Sequence, residues 1–332
     1  MTNAIIGICR KYSIFDYPGH HKRHRQPTPN LGGTAILIAV WAGVFVYKYL
    51  DPSAFPDIKG TLPNILIGSL IVYLVGMVDD LRPVSAWVKL AAQVIAGLVL
   101  YFGGLSIDLI SLPVLGTTAL NGLSIIITVF WVIALSNAIN LIDGLDGLAT
   151  GVSAIASGTM IVIGILYRID TVILFSLTLL GALLAFWFHN RYPAKIFLGD
   201  SGSLLIGYYF AVVSLVVPIK SFTTAALFMP LVVLGVPLVE TTTSFFRRLA
   251  AGKNVMKADR RHIFHYLAYA GLNHRQVLYL FYLSGLLFGF ISIAMLLFNR
   301  TLVWSVLLLF MVVIFVIYFI LIIHMRKGNA AK

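Results

Sequence analysis

Five aspartates in three short motifs hold most of the chemistry available to this chain. They are Asp79 and Asp80 in VGMVDDL, Asp143 and Asp146 in NAINLIDGLDGL, and Asp200 in FLGDSGS, out of twelve acidic residues in all. Each motif lies at the end of a long apolar run. A carboxylate beside hydrocarbon is costly unless something pairs with it. Three such clusters in an apolar chain point to a cation and to chemistry rather than to architecture.

The spacing inside each motif narrows that chemistry. Asn137, Asn140, Asp143 and Asp146 recur at every third position, so on a helix each neighbours the next. Gly144 and Gly147 loosen the backbone there and permit close approach of a ligand. Amides and carboxylates in such a line suit a nucleobase edge or a metal shell. The plainer alternative is a Gly-rich turn or a calcium-loop fragment, but the further ligands of an EF-hand are absent. Asp79 and Asp80 are adjacent and point about 100° apart on a helix, so identical roles are not expected. One can bind metal or take a proton while the other orients a partner. Alternatively, the pair caps the helix that starts near Ser85. Two neighbouring carboxylates raise each other's pKa unless a cation intervenes, and Arg82 and Lys89 lie just downstream to supply one.

FLGDSGS joins a carboxylate to small hydroxyls and glycines at the start of a span. Backbone N–H groups at a helix N-terminus favour anions, so Asp200 could hold Mg²⁺ against a pyrophosphate gathered there. A Ser/Asp helix cap is the structural alternative. Upstream are Asn190, Lys195 and Phe197. Phe197 suits stacking on a base, although an interfacial aromatic is a commoner fate. The loop KNVMKADRRHIFHY carries Arg260, Arg261, His262 and His265, a cluster fit for phosphate recognition or simply a basic cytosolic loop. His262 and His265 alone make an incomplete zinc site. Glu240 sits roughly 10 Å inside a span, facing a polar cavity or bonded to Thr243 or Ser244. The arm HHKRHRQPTPNLGG either meets lipid phosphates or marks the cytosolic side.

Apolar helices must position these residues. Of 332 residues 60% are hydrophobic and 11% charged, with a mean hydropathy of +0.96. Soluble domains usually carry about a quarter charged residues, so the chain reads as an all-α, polytopic integral membrane helical bundle. Cys9 is the only cysteine, which excludes a disulfide framework and a Cys-based zinc site. The segment Ala4–Cys9 is too short for a signal-peptide core. A spanning helix needs roughly 20 apolar residues, and about ten candidates are present: 31–50, 62–78, 86–104, 122–140, 149–167, 171–189, 203–217, 222–246, 277–298 and 302–324. With both termini in the cytoplasm, 19 Lys and Arg fall inside and five outside, as the positive-inside rule requires. All eight His residues (20, 21, 24, 189, 262, 265, 274 and 324) and all three Asp motifs share that inner face. The net charge of +12 therefore reads as cytosolic loops meeting anionic substrates or lipid head groups, and nucleic acid is not an expected partner. The division that follows is a cytosolic basic arm over 1–30, one transmembrane catalytic domain over 31–325 and a cytosolic tail over 326–332. Loops 79–85, 141–148, 190–202 and 247–276 face the cytosol. No internal repeat or low-complexity segment is apparent.

Taken together, KRHRQPTPNLGG, VDDLRPVSAWVKL, NAINLIDGLDGL, HNRYPAKIFLGDSGS and RRLAAGKNVMKADRRHIFHYL resemble the polyprenyl-phosphate N-acetylhexosamine-1-phosphate transferase family. It includes WecA-like and TagO-like enzymes, with MraY as a relative. The resemblance runs over nearly the whole chain, and NxxNxxDGxDGL combined with FxGDxGS is highly specific. It implies transfer of N-acetylhexosamine-1-phosphate, GlcNAc-1-phosphate in particular, from a UDP-sugar to undecaprenyl phosphate. UMP is released, as the first membrane step of a cell-surface polysaccharide such as teichoic acid or O-antigen. It implies Mg²⁺, with Mn²⁺ as a substitute, on Asp200 and Asp79, and a site on the cytosolic face of the cytoplasmic (inner) membrane. By position, Asp79 and Asp80 match the paired acids near the metal, one of them proposed to deprotonate the lipid phosphate. Asn140, Asp143 and Asp146 match the nucleotide-side motif, and Phe197 the aromatic that stacks on the base. Asn190 matches a substrate-site amide, and His262 and His265 the basic motif of the last long loop. Asp79, Asp80, Asp200 and His262 are thus the expected catalytic set. Asn140, Asp143, Asp146, Asn190, Phe197, Lys89, Arg261 and His265 are the expected substrate contacts. Membrane lipids are expected neighbours, and a homodimer is compatible with the family.

There are departures from the family pattern. Phe264 stands where the WecA-like loop has its middle His, Glu240 where Asp is more usual, and Asn30 where an Arg often precedes Leu-Gly-Gly. The family's first span is almost missing, so the chain either starts late or has ten spans. The Arg-His-rich loop favours the WecA/TagO branch, with an MraY-type phospho-MurNAc-pentapeptide transferase as the alternative. A nucleotide-sugar or cation transporter is a rival of another class. Transporters set ionisable groups near mid-membrane, whereas the acids here, apart from Glu240, gather at one face.

Overall fold

The computed structural model describes residues 1–17, 26–55, 60–112, 116–216, 267 and 271–297. Nine helices occur among them. They are α1 (Thr2–Lys11), α2 (Gly32–Leu50), α3 (Leu62–Leu81), α4 (Ala86–Phe102), α5 (Leu123–Ile142), α6 (Leu148–Tyr167), α7 (Asp170–Asn190), α8 (Gly199–Val216) and α9 (His274–Leu297). Seven of these, α2, α3 and α5 to α9, are long and apolar enough to cross a membrane, and α4 is a shorter apolar helix. Eight of the ten expected spans thus appear as helices. The other two, 222–246 and 302–324, lie outside the described residues.

Local signals set the helix ends. Pro63 sits in the first turn of α3, where its missing N–H costs nothing. Asp170 opens α7 and His189 closes it, each complementing the helix dipole. The Lys48 ammonium in the last turn of α2 donates to the carbonyls of Pro52 (2.6 Å) and Ala54 (3.1 Å), satisfying backbone acceptors just beyond the helix.

From α2 to α8 successive helices alternate in direction, so one end of the bundle collects the C-termini of α3, α5 and α7 and the N-termini of α2, α4, α6 and α8, and the N-terminus of α9 joins them through His274, whose Nε2 lies 3.3 Å from the Asp146 carbonyl. Three boundaries differ from the sequence expectation. α3 continues to Leu81 and α8 begins at Gly199, so Asp79, Asp80 and Asp200 lie in helical turns rather than in loops 79–85 and 190–202. The loop expected over 141–148 shortens to residues 143–147. Polar groups at these positions remain helical because partners from neighbouring helices satisfy them. The expected arm is also partly structured. α1 packs against α2 and α7, and β1 (Phe15–Asp16) pairs antiparallel with β2 (Thr28–Pro29). At the opposite end, β3 (Leu109–Leu112) and β4 (Gly116–Ala119) form a small antiparallel hairpin.

α8 is the hub. It is buried over 89% of its span, against 33–61% for the other spanning helices, and it packs on α2, α3, α5 and α7. Close approach makes this possible. A Cβ on Gly76 of α3 would come within 2.5 Å of the Ser201 backbone, so the first turn of α8 lies directly against α3, as small residues permit in membrane bundles. Asp200 therefore lies in the first turn of the most enclosed spanning helix among the described residues.

Candidate active site

The first turn of α8 is the anchor of the site. Gly199 adopts φ +72°, a left-handed conformation that glycine takes without strain. A Cβ there would collide with the Asp80 carboxylate. Asp80, from the last turn of α3, accepts the N–H of Asp200 on Oδ1 at 2.8 Å. Its Oδ2 accepts the N–H and the hydroxyl of Ser201 at 3.1 and 2.6 Å. Asn30 Nδ2 donates to Oδ1 at 3.4 Å. An acid from a neighbouring helix thus satisfies amides that a helix start leaves open. The FLGDSGS connection is strapped from the other side. Phe197 N–H donates to the Pro29 carbonyl at 2.8 Å, and Gly32 and Gly33 N–H donate to the carbonyls of Phe197 and Leu198, each at 3.1 Å.

Held this way, the Asp200 side chain meets two other motifs. Lys89 Nζ of α4 lies 2.7 Å from Asp200 Oδ2 and 3.1 Å from Asp79 Oδ2. Asn140 Nδ2 of α5 donates to Asp200 Oδ1 (3.0 Å) and to Ser203 Oγ (2.9 Å). Asp79 Oδ1 accepts the Val84 N–H at 2.8 Å, which folds the α3–α4 turn back so that Lys89 reaches the acids. Side chains of Asp79, Lys89 and Asp200 keep 17–25% of their surface exposed, so the cluster is enclosed yet reachable. About one turn deeper, Asn137 donates to Gln93 Oε1 at 2.9 Å, continuing the polar seam between α4 and α5. Of the two cations expected near the paired acids, Lys89 joins them, while Arg82 lies exposed beyond the end of α3.

Asp143 follows α5 directly and is half-buried. Burial pushes its carboxyl well above the usual carboxylate range, and the charges of Asp200, Asp80 and Asp146 raise it further. Among the described residues this carboxyl has no hydrogen-bond partner, while the backbone N–H of Asp143 donates to the Asn140 carbonyl at 3.2 Å. A carboxyl so placed favours a proton, a cation or a donor group on a ligand.

Asp146 and Asn190 belong to an adjoining sector. Asp146 Oδ2 accepts the Ala194 N–H at 3.0 Å, tying the α5–α6 turn to the α7–α8 connection. Asn190 is 3% exposed. Its carbonyl accepts Gly147 N–H (3.1 Å) and the Thr150 hydroxyl (2.7 Å), and its amide donates to the Ile196 carbonyl (3.0 Å). The expected substrate-site amide is therefore committed to internal bonds. Phe197 is half-buried and its backbone is clamped as described. Arg261, His262 and His265, with Arg260 and Glu240, lie outside the described residues.

Other contributors carry weak sequence signals. Ser201 and Ser203 are visible as hydroxyls in FLGDSGS, but nothing in the sequence shows which acid or amide they meet. Tyr282 of α9 donates to the Gly147 carbonyl at 2.6 Å and accepts from Trp187 Nε1 at 3.0 Å. His274 stacks on Tyr192 with ring centroids 4.2 Å apart, and its Nε2 lies 3.3 Å from the Asp146 carbonyl. These aromatic residues have no motif to mark them, because their partners are 82 to 135 residues away.

Fold and site together define an integral membrane protein whose charged centre is assembled between helix ends. A glycosyl transferase family 4 model matches residues 62–218. A probable undecaprenyl-phosphate N-acetylglucosaminyl 1-phosphate transferase of Bacillus subtilis is 35% identical over 317 residues, which is 95% of this chain and 86% of the relative. The decaprenyl-phosphate N-acetylglucosaminephosphotransferase of Mycobacterium leprae is 31% identical over 306 residues, 85% of this chain and 77% of the relative. A phospho-N-acetylmuramoyl-pentapeptide-transferase of Lactobacillus helveticus is 30% identical over 318 residues, 89% of this chain and 94% of the relative. The chain belongs to the polyprenyl-phosphate N-acetylhexosamine-1-phosphate transferase family.

Proposed function

We propose that this protein transfers N-acetylglucosamine-1-phosphate from UDP-GlcNAc to undecaprenyl phosphate at the cytosolic face of the cytoplasmic membrane. The observation that carries the reading is the convergence of three separate motifs on one centre, Lys89 between Asp79 and Asp200 with the Asn140 amide on Asp200. An oxygen of the lipid phosphate attacks the phosphorus that bears the sugar. The bond from that phosphorus to the bridging oxygen breaks, its electron pair stays on the departing UMP, and a polyprenyl-pyrophosphoryl sugar remains. The charge count along the sequence supports the cytosolic placement, and the names of the relatives support the acceptor and the sugar.

Two anionic phosphates must meet for this reaction, which makes charge compensation the central task. Among the described residues no three acidic or His side chains form a closed metal site. Mg²⁺, however, is commonly held by one or two carboxylates, with waters and substrate phosphates completing its shell. Asp79 and Asp200 already turn one oxygen each toward a shared cation, so the donor set fits Mg²⁺ or Mn²⁺. When bound, that ion supplies charge neutralisation at the reacting phosphates. Asn140 fixes the rotamer of Asp200 by holding Oδ1. Lys89 stands where it can follow phosphate oxygens once they arrive. Asp143 and the second carboxylate oxygen of Asp146 face the nucleotide side with Phe197, and Arg261, His262 and His265 receive the donor phosphates. Asp79 borders the acceptor. A phosphate oxyanion is already nucleophilic near neutral pH, so its role is to place the acceptor more than to take a proton.

The test is purified protein with Mg²⁺, undecaprenyl phosphate and UDP-GlcNAc, followed by UMP release and lipid product. Release of UMP with formation of the GlcNAc lipid is expected. UMP only with UDP-MurNAc-pentapeptide would move the chain to the muramoyl branch, which the Lactobacillus relative represents. No UMP with any UDP-sugar would overturn the proposal.

A further inference from the structure

The two adjacent aspartates differ in what remains of their hydrogen-bonding capacity. An ionised carboxylate offers about four lone-pair positions. Asp80 has four donors on it: Asp200 N–H, Ser201 N–H, the Ser201 hydroxyl and Asn30 Nδ2. Asp79 has one donor per oxygen, Val84 N–H and Lys89. Three of the four groups on Asp80 come from the α8 start or its hydroxyl, and the fourth comes from the segment that straps the 197–198 backbone. Gly199 leaves no room for a side chain between this carboxylate and the helix start.

We infer that Asp80 is a positioning residue. It holds the first turn of α8 so that the Asp200 carboxylate points at Lys89 and Asn140, and it takes no proton from the acceptor. The aspartate pair thus divides into a clamp, Asp80, and a group that faces the centre, Asp79. Ser201 is the second half of the clamp, because its N–H and hydroxyl both end on Asp80 Oδ2. This inference rests on the proposed role of Asp200 in holding a divalent cation, so its test includes readouts independent of sugar transfer.

The variants are Asp80→Asn, Ser201→Ala and the double substitution in detergent-solubilised full-length protein. Asparagine keeps one acceptor oxygen for the helix start but cannot serve as a base. Asp80→Asn is expected to retain turnover of about a hundredth of wild type, with the KM for the sugar nucleotide nearly unchanged. Ser201→Ala should move kcat in the same direction by roughly tenfold. The double variant should be no worse than Asp80→Asn alone, because groups in one hydrogen-bonded unit are not additive. Mn²⁺ binding followed by electron paramagnetic resonance should weaken in both single variants. Amide hydrogen exchange of the peptide around residues 199–203 should quicken in both. An Asp80→Asn enzyme as inactive as Asp200→Asn, with unchanged exchange and unchanged Mn²⁺ affinity, would overturn the inference and place Asp80 at the reacting atoms. If Asp80→Asn fails to fold, Ser201→Ala carries the test alone, and wild-type exchange and Mn²⁺ affinity there would overturn it. If the wild-type protein releases no UMP, the functional proposal fails, while exchange and Mn²⁺ binding still decide the clamp.

Discussion

The two ends of the bundle handle their carboxylates differently. At the end opposite the site, Asp51 accepts the N–H and hydroxyl of Ser53, two residues away, and this turn draws its carboxyl below the usual range. Asp108 accepts hydroxyls from Ser106 and Ser124, two and sixteen residues away. At the site end, the partners of Asp80 and Asp200 come from 50 to 121 residues away. A local partner makes a turn or a cap that any solvent-facing loop can build. A distant partner requires the helices to be packed first, and it leaves charges whose compensation depends on what else enters. The contrast separates architectural acids from those arranged around an incoming ligand.

Asp200→Asn should break that contrast most severely. Turnover is expected to fall by about three orders of magnitude, with the helical circular dichroism unchanged. Wild-type turnover would return Asp200 to the architectural class. Removal of divalent cations with a chelator should silence the enzyme equally, and added Mg²⁺ should restore it. Persistent activity in chelator would show that Lys89 and the basic loop suffice.

A smaller effect is expected from Lys89→Gln, which leaves Asp79 and Asp200 facing each other. Turnover should fall by about a hundredfold, and the loss should couple with Asp79→Asn in a double-mutant cycle. Strict additivity would mean that the ion pair contributes nothing to the centre.

Asp143→Asn sharpens the comparison in another way. It replaces a half-buried carboxyl that is crowded by other acids and has no hydrogen-bond partner among the described residues, so the melting midpoint of the substrate-free protein should rise by about 2 °C while turnover is lost. A lower midpoint would show that the carboxyl has a stabilising partner. The smallest effect belongs to the opposite end. Asp51→Asn should leave turnover unchanged in the same UMP assay, and a clear loss there would mean that the two ends are coupled.

Much of this was legible in the chain. Eight helices fall within a few residues of the apolar runs, because a span must be apolar over its length and polar groups mark its end. The five aspartates stood out for the cost of placing them beside hydrocarbon. The two ladders and the ordered α1 did not stand out, since short segments depend on packing more than on pattern. Asn190 carried the right residue type for a substrate amide, yet the fold turns it inward onto Gly147, Thr150 and Ile196.

By itself the sequence determined the class of the protein, the apolar helices and the set of acids, amides and basic groups available for chemistry. These follow from composition and spacing, which act within one turn or one span. Only the tertiary structure decided which aspartate meets which partner. Asp79 and Asp80 are neighbours in the chain, but a step of about 100° around α3 sends one to Lys89 and the other to the start of α8. The Asp80 half of that division depends on contacts 120 residues apart, which helix packing alone brings within hydrogen-bond distance.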